Sequence, residues 1–172
     1  MVNIEDNFLE LDDFYRLQSA MIRNPHFPWG YVDYVDYKDK VDILDTFQFE
    51  HWFYGLPIGP MSSEFSLIEP CLEIFNDFAM WRVKANLLTK TPKIVPNDYH
   101  VDTDLKPHKL KQWTNSILYV NTNDGYTEFE DGTKVESIEN RMITFPADMK
   151  HRGTSCTDKK IRVVINFLYF NR

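Results

Sequence analysis

The sequence has only two cysteines, fewer basic than acidic residues, and no long hydrophobic run. Cys71 and Cys156 lie far apart and match no metal-binding or redox spacing, so two free thiols in a reducing compartment are expected rather than a disulfide. No apolar stretch has the length that a membrane crossing requires. Glu5, Asp6 and Glu10 interrupt any apolar segment that could act as an N-terminal signal peptide. The sequence therefore predicts a cytoplasmic protein with no membrane partner.

The shortage of positive charge bears on the kind of partner. Nineteen Lys and Arg residues stand against 26 Asp and Glu residues, which gives a formal net charge of -7. Binding along a nucleic acid needs a basic face, so this balance argues against a nucleic-acid partner, although a local basic groove stays compatible with it. In contrast, 43% of the 172 residues are hydrophobic and 15% are aromatic. That is enough apolar surface for the core of one folded domain.

The first 80 residues contain helical and strand patterns but no chemical motif. Apolar spacing predicts an amphipathic helix over 10–23 and strands over 31–35 and 46–54. It also predicts a helical stretch from 62 to about 80, with a break or a fresh helix start at Pro70. The buried stripe of that last stretch is expected at Leu72, Phe75, Phe78 and Ala79. We interpret residues 1–80 as a supporting layer that covers one face of a sheet.

From residue 81 onward the pattern changes to short strands and tight turns. The Asp131-Gly132 pair between alternating runs is a strong hairpin signal, and Asn123-Asp124-Gly125 is a second turn. Strands are predicted over 81–88, 113–121, 126–130, 134–138, 141–145 and 161–170. Short antiparallel strands at this spacing indicate a sandwich or barrel. We therefore expect one mainly β domain over 1–172, with 81–172 as its functional core.

A histidine and a carboxylate stand two residues apart at His100 and Asp102. On an extended chain this spacing puts both side chains on one face. If a second histidine joins them, the three form the 2-His-1-carboxylate triad that binds non-haem Fe(II). The pair alone is weakly specific, and its alternative is a salt link in a surface loop.

Four other histidines are candidates for the third ligand. His26 and His51 lie among aromatic residues, which favours structural roles, and His108 lies in a basic loop that is expected to face solvent. His151 follows a strand and a turn, where the rim of a barrel presents side chains to the cavity. We therefore favour His151.

Arg162 lies near the start of an apolar strand that should be central and buried. Burying a guanidinium without a partner is costly, and no acidic residue lies within three positions of it in the sequence. Either a distant carboxylate or the carboxylate of a bound ligand must compensate it. The guanidinium fork fits a carboxylate with two hydrogen bonds.

Together these residues resemble the signature of the 2-oxoglutarate- and Fe(II)-dependent dioxygenases, in the branch that includes prolyl-4-hydroxylases. The resemblance covers about residues 81–170, and the segment 81–87 is similar to that of small oxygenases of marine phages and bacteria. Its elements, in order, are His100-x-Asp102, Tyr119-Val120-Asn121, Gly125-Tyr126-Thr127-Glu128-Phe129, Phe145-Pro146, His151 and Arg162. Tyr126 replaces the second glycine of the family's turn.

The resemblance implies a double-stranded β-helix, or jelly roll, braced by N-terminal helices. It implies that His100, Asp102 and His151 hold Fe(II), and that Arg162 and Tyr119 bind the distal carboxylate of the co-substrate 2-oxoglutarate. With O2, the expected products are succinate, CO2 and a hydroxylated prime substrate, either a protein or peptide side chain or a small metabolite.

Two positions refine this expectation. Some relatives carry serine or threonine where Val164 stands, so Arg162 and Tyr119 must bind more of the co-substrate alone. Related halogenases have a small residue where this chain has Asp102, so hydroxylation is favoured over halogenation.

The roles of several further residues, and the choice among competing functions, stay open at this point. Lys84 and Asn86 alternate on a strand that should border the cavity, where they either contact substrate or form a polar rim. Arg141 is expected in a structural ion pair, and Tyr99 and Trp113 in packing. The competing functions are a non-redox, cupin-like isomerase or ligand-binding module, and a structural protein in which the triad is a coincidence.

Overall fold

The computed structural model describes residues 1–35, 47–76, 78–103 and 107–171, and within them strands predominate over helices. The strands are β1 (Asn3–Glu5), β2 (Gly30–Val32), β3 (Gln48–Gly55), β4 (Gly59–Pro60), β5 (Phe78–Thr89), β6 (Thr114–Tyr119), β7 (Tyr126–Phe129), β8 (Lys134–Glu136), β9 (Arg141–Pro146), β10 (His151–Gly153) and β11 (Ile161–Asn171). The helices are α1 (Leu11–Gln18), continued by a π-helical turn (Ser19–Arg23), α2 (Glu69–Phe75) and α3 (Pro107–Leu110), with a 3-10 turn at Phe65–Leu67. The predicted mainly β class is confirmed.

β11 lies in the middle of the larger of two sheets. In the described part of the chain the strand order is β1-β9-β6-β11-β5-β3-β2, with β4 paired to β3, and all these pairings are antiparallel. Val163 and Ile165 of β11 are fully buried and Val164 is nearly so. A strand that is covered on both faces needs such a continuous apolar run. The prediction of a central, buried strand around Arg162 is confirmed.

One face of this sheet is covered by the N-terminal helical segment. Asp12 and Asp13 stand in the first turn of α1, where carboxylates interact favourably with the helix dipole. Apolar residues recur on one side of the helical segment and pack against inward-pointing residues of β5 and β11. The shared core includes Phe14, Leu17, Met21, Val83, Ala85, Leu87, Val163, Ile165 and Phe167. The predicted helix over 10–23 and its bracing role are thereby confirmed.

The opposite face of the large sheet meets a smaller sheet with the strand order β10-β7-β8. Between them lies a second apolar cluster drawn from both sheets: Ile117, Tyr119, Phe129, Val135, Ile143, Phe145 and Val164. Side chains alternate along a strand, so Arg162 and Val164 point to this side while Val163 points to the helices. Two antiparallel sheets packed in this way form the expected double-stranded β-helix, with a cavity open between them.

The helical stretch predicted from 62 to about 80 is too long. Pro70 stands in the first turn of α2, as expected for a fresh helix start, but α2 ends at Phe75 and Asn76 has a φ of 43°. From Phe78 the chain belongs to β5, so Phe78 and Ala79 are not part of a helical stripe. The reason is tertiary: residues 78–80 pair with 169–171 of β11, a contact that local periodicity does not reveal.

The short strands β1 and β10 were not predicted from the sequence pattern. β1 pairs with β9, and β10 pairs with β7, although each is only three residues long. β1 to β4 all come from the first 80 residues and join the same sheet as β5, β6, β9 and β11. The strand predicted from 46 begins at Gln48, with residue 46 outside the described part of the chain.

Cys71 and Cys156 are both buried and unpaired, so the prediction of free thiols is confirmed. Among the helices of the described residues, none combines the length and apolarity that a membrane crossing needs.

Candidate metal centre and adjoining cavity

His100 and His151 are held next to each other by their own backbones. The amide nitrogen of each donates to the carbonyl oxygen of the other, at 3.0 Å in both directions. Their ring centroids are 4.9 Å apart. This antiparallel rung, together with the bond from the Asn97 amide to the Gly153 carbonyl, joins the loop that carries His100 to β10, so residues 51 positions apart in the sequence become neighbours.

Further contacts orient the two imidazoles. Nδ1 of His100 lies 3.0 Å from the carbonyl oxygen of Asp98, and Nδ1 of His151 lies 3.3 Å from that of Met149. Because a carbonyl oxygen only accepts, these contacts put the proton on Nδ1 and leave the Nε2 lone pair as the donor for a metal. Burial lowers the pKa of His151, which also favours the neutral, metal-binding form.

Asp102 completes the cluster and is held from two sides. One carboxylate oxygen accepts from Arg82 Nη2 at 3.0 Å, and the other accepts from Asn115 Nδ2 at 2.7 Å. Its Oδ2 also lies 3.4 Å from His151 Nε2. Burial disfavours the charged carboxylate, but His151, Arg82, His100 and Lys84 outweigh it and hold the pKa of Asp102 well below its usual range. Asp102 is therefore an ionised, fixed oxygen donor.

The donor atoms of His100, Asp102 and His151 all lie within 4.8 Å of one another. Two imidazole nitrogens and one carboxylate oxygen are the donor set of non-haem Fe(II) sites. The residues fit this ion in type and position. No further His, Cys, Asp or Glu from the described residues belongs to the cluster.

The other histidines do not join it as far as the structure describes them. His26 is exposed, and the ring of His51 packs 4.6 Å from those of Phe27 and Phe53 while Nδ1 contacts the Pro28 carbonyl. His51 therefore has the structural role that was expected, whereas His26 lies on the surface away from the cluster. The side chain of His108 lies outside the described part of the chain.

Arg162 is 4% exposed, and no described carboxylate lies within 4.0 Å of its guanidinium. Its Nε donates to Ser137 Oγ at 2.9 Å, and Nη2 donates to Thr127 Oγ1 at 3.3 Å. Burial lowers the pKa of Arg162, although this group stays charged at any ordinary pH. The sequence left two partners possible for Arg162, a distant carboxylate of the chain or the carboxylate of a bound ligand. The described residues provide no such distant carboxylate.

Tyr119 is fully buried beside Arg162, with its ring centroid 5.7 Å from the guanidinium carbon. Its hydroxyl donates to Thr127 Oγ1 at 2.8 Å, so the three side chains form one small network. Gly125 allows the guanidinium stem to fit, because a Cβ there would lie 2.7 Å from Arg162 Cδ. The predicted pair of Tyr119 and Arg162 is thus brought together.

The triad and Arg162 open into the same cavity, which has a volume of about 610 Å³. This is within the range of roughly 300–1,000 Å³ typical of small-molecule sites. Alternate residues of β5 and β11 supply part of its wall, including Arg82, Lys84, Asn86, Val164 and Asn166.

Four residues of the site were not identified from the sequence. Arg82 and Asn115 hold Asp102, while Thr127 and Ser137 accept from Arg162. Thr127 stands within the Gly-x-Thr-x-Phe resemblance, which is a signal that could have identified it. The other three lie 13 to 25 residues from their partners in the sequence, and although Arg82 falls within the similar segment 81–87, that segment does not indicate its partner.

The remaining candidates divide as follows. Lys84 and Asn86 do line the cavity. Arg141 forms the expected structural ion pair, with Nε 2.5 Å from Asp6 Oδ1. Trp113 packs against the rings of Trp81 and Phe170, and the guanidinium of Arg152 stacks 4.3 Å from the ring of Tyr99.

No protein-family model matches the chain, and no sequence among curated proteins matches it either. Solved structures do match, over 99% of its length. A viral collagen prolyl hydroxylase from Paramecium Bursaria Chlorella virus-1, solved as a 2-oxoglutarate complex, is 15% identical with a TM-score of 0.62 over 96% of that chain. A prolyl-4-hydroxylase from Pseudomonas putida is 11% identical, with a TM-score of 0.65 over 92% of that chain.

A third similar structure has a different activity. The non-haem α-ketoglutarate-dependent carbocyclase SnoK from nogalamycin biosynthesis is 9% identical, with a TM-score of 0.67 over 79% of that chain. Identities this low show the fold alone. The double-stranded β-helix that the motif resemblance implied is therefore confirmed.

Proposed function

We propose that this protein is an Fe(II)- and 2-oxoglutarate-dependent oxygenase that hydroxylates its prime substrate. One observation carries the proposal: a 2-His-1-carboxylate cluster and a buried arginine without a described carboxylate partner open into one cavity. The cluster offers donors for iron, and the arginine offers a site for an acidic group. A small molecule with a chelating end and an acidic end, such as 2-oxoglutarate, uses both.

His100, Asp102 and His151 would hold the iron through the two Nε2 atoms and one carboxylate oxygen. Iron bound there, with 2-oxoglutarate and O2, supplies the oxidative decarboxylation that yields succinate and CO2 and the oxidation of a second substrate. The chain's own contribution is orientation. The Asp98 and Met149 carbonyls fix the imidazoles, and such supporting contacts commonly affect metal affinity 10–100-fold.

Arg162 and Tyr119 would bind the distal carboxylate of 2-oxoglutarate. The guanidinium supplies charge and a planar pair of donors, and the Tyr119 hydroxyl supplies a third donor when it turns from Thr127. Thr127 and Ser137 then provide the hydroxyl groups near the carboxylate that Val164 cannot provide. Their burial excludes water, which strengthens the ion pair.

The prime substrate is proposed to be a protein or peptide side chain, as for prolyl hydroxylases, or a small metabolite. The similar prolyl hydroxylases favour a protein or peptide side chain as the substrate. The similar carbocyclase indicates that this fold also supports other reactions. The carboxylate of Asp102 occupies a place that halogenases keep small, which favours hydroxylation over halogenation.

The deciding experiment is an anaerobic titration of the protein with Fe(II) and then 2-oxoglutarate. Chelation of iron by 2-oxoglutarate in this site is expected to produce a weak visible metal-to-ligand charge-transfer band. Succinate formation after admission of O2 is the second readout. A folded, metal-loaded protein that gives no band with 2-oxoglutarate contradicts the proposal.

The competing function is a non-redox, cupin-like isomerase or ligand-binding module that uses the same metal ligands. Arg162 argues against it, because metal binding alone gives no reason to bury an arginine that no described carboxylate pairs with. This alternative predicts metal binding without the charge-transfer band and without succinate.

A further inference from the structure

Two carboxamide side chains lie on neighbouring rungs of the β5–β11 pair in the cavity wall, between Arg162 and Arg82. Asn86 of β5 is in register with Val164 of β11, and Asn166 of β11 is in register with Lys84 of β5. Both asparagines line the cavity. They therefore form one patch on the sheet face, which we call the amide floor (Asn86 and Asn166).

The amide floor has unused hydrogen-bonding capacity. The Oδ1 atoms of Asn86 and Asn166 are buried, and neither has a hydrogen-bond partner among the described residues. A buried acceptor without a donor is unfavourable, so such atoms usually mark where a ligand or water binds. If one carboxamide turned over, a donor would replace its acceptor, and the floor would then require a ligand group that both donates and accepts.

Two cationic side chains around the floor, Lys84 and Arg82, are already paired with carboxylates. Lys84 Nζ lies 3.0 Å from one carboxylate oxygen of Glu50, and the Trp52 indole donates to the other at 2.8 Å. Arg82 is paired with Asp102. Neither Glu50 nor Asp102 therefore offers the floor an unpaired negative charge. A cationic ligand would lie near Arg82 and Arg162 with no free carboxylate to offset its charge.

The co-substrate cannot complete the floor. At neutral pH 2-oxoglutarate offers only acceptor oxygens, two carboxylates and a ketone, so it gives no hydrogen to an amide oxygen. A proline ring has no N–H, so a prolyl peptide could reach these oxygens only through the N–H groups of its flanking residues. The missing donors must come from the prime substrate or from water.

We infer that the prime substrate carries a carboxamide, and that Asn86 and Asn166 bind it. This inference rests on the proposed oxygenase function. A carboxamide is uncharged and presents a donor and an acceptor side by side, so it pairs with an asparagine in either orientation of the latter. An asparagine or glutamine side chain in a peptide and a free small-molecule amide share this chemistry.

The first test compares probes that differ in one group. Succinate release is measured with free L-glutamine and L-asparagine, and with short peptides that contain glutamine, glutamate, lysine or proline at one central position. At least one amide probe is expected to stimulate release, and its glutamate and lysine counterparts at least tenfold less. Stimulation by the free amino acid or only by the peptide distinguishes the two sources. Equal or greater stimulation by the proline peptide overturns the inference.

The second test changes the floor. Asn86→Leu and Asn166→Leu are expected to raise the KM for the amide probe at least tenfold, while the charge-transfer band of the Fe(II)–2-oxoglutarate complex persists. Asn166→Asp adds a negative charge of the same shape, so preference should shift from the glutamine peptide towards the lysine peptide. Asn3→Asp, on the exposed strand β1, is the control for charge alone.

Two results would overturn the inference while leaving the oxygenase proposal intact. One is weaker 2-oxoglutarate binding in both leucine variants, followed by the charge-transfer band, with an unchanged KM for the probe at saturating 2-oxoglutarate, since the floor would then belong to the co-substrate. The other is an unaltered preference in Asn166→Asp. If the wild-type protein gives no band at all, the oxygenase proposal fails, and amide binding is tested separately by NMR titration of the same probes without 2-oxoglutarate. Loss of probe binding in Asn166→Leu would support the amide floor as the binding site for the carboxamide. Equal probe binding by this variant and the wild type would refute it.

Discussion

At the scale of single residues, both carboxylate oxygens of Asp102 accept hydrogen bonds from protein side chains, independently of a metal. Arg82 and Asn115 reach it from β5 and β6, two strands that flank β11 in the large sheet. A carboxylate held in this way cannot rotate freely, so the oxygen that faces the histidines is set by the sheet. Orientation of this kind is what a three-ligand site on one face of an ion requires.

Removal of His151 tests the third ligand directly. His151→Ala is expected to abolish succinate formation and Fe(II) binding, because only two donors remain. Metal content and succinate are measured, with His26→Ala, an exposed histidine, as the matched control. Turnover that persists in His151→Ala would point to His108 as the ligand instead.

Removal of Arg162 tests the co-substrate site. Arg162→Ala is expected to weaken 2-oxoglutarate binding by about 2–5 kcal/mol, or at least roughly 30-fold, since a buried charge partner is lost. The charge-transfer band, followed against 2-oxoglutarate concentration, measures this. Arg23→Gln, an exposed site with the same charge change, is the control. An unchanged affinity would mean that another cation holds the carboxylate.

At this scale the sequence predicted the residues that belong to short, ordered motifs. His100 and Asp102 share a face because of their spacing, and Arg162 stands out because it interrupts an apolar strand. Arg82, Asn115 and Ser137 could not be identified, since their roles arise from strand neighbours that lie 13 to 25 residues from their partners.

At the scale of elements, one side chain ties the N-terminal segment to the large sheet. Asn140 precedes β9 and is 3% exposed. Its Oδ1 accepts from the Leu9 amide at 2.9 Å and its Nδ2 donates to the Leu9 carbonyl at 2.8 Å. Its φ of 59° lies in the left-handed region, which asparagine tolerates better than most residues. The segment between β1 and α1 is therefore anchored by Asn140, in addition to the ion pair between Asp6 and Arg141.

Two substitutions separate the contributions of Asn140. Asn140→Gly keeps the backbone freedom but loses both hydrogen bonds, so a loss of about 2 kcal/mol in the free energy of unfolding is expected. Asn140→Ala also strains the backbone, which adds about 1 kcal/mol or more. Urea unfolding midpoints at constant slope measure both. Equal stability of the alanine variant and the wild type would contradict the anchor.

Element prediction succeeded where turns and alternation were local. The Asp131-Gly132 turn lies between β7 and β8, as the hairpin signal predicted, and Gly132 has a φ of 86°. It failed for β1 and β10, which are too short to show alternation, and for residues 78–80, where pairing with β11 decides between helix and strand. Such pairings depend on distant residues and cannot be read from a window of sequence.

At the scale of the whole molecule, the large sheet separates two functions. Its one face packs against the helical segment and supplies most of the apolar core, and its other face supplies charged and amide side chains to the cavity. Ligands in the cavity therefore contact the same strands that stabilise the fold, so binding should stabilise the entire protein.

A thermal-shift experiment measures this coupling. Mn(II) and 2-oxoglutarate, each at about 100 times its dissociation constant, should each add about 2.7 kcal/mol at most. For a chain of this length that is roughly 5–11 °C in the unfolding midpoint for each ligand. EDTA should reverse the shift, and Arg162→Ala should keep the part due to the metal and lose the part due to 2-oxoglutarate. No shift with a folded protein would contradict a site in this cavity.

The reciprocal backbone hydrogen bonds between His100 and His151 have one more consequence. They form the rung nearest the ligands in a pairing that also includes backbone bonds of Asn97 with Gly153 and of Val95 with Ser155, so opening that rung loosens two prospective ligands from the third. Metal binding and the docking of the His100–Asp102 loop onto β10 are then thermodynamically coupled. The two histidine amides should exchange with deuterium at a common rate, and saturating metal should slow both by the same factor, which makes this rung a reporter of occupancy that needs no knowledge of the substrate.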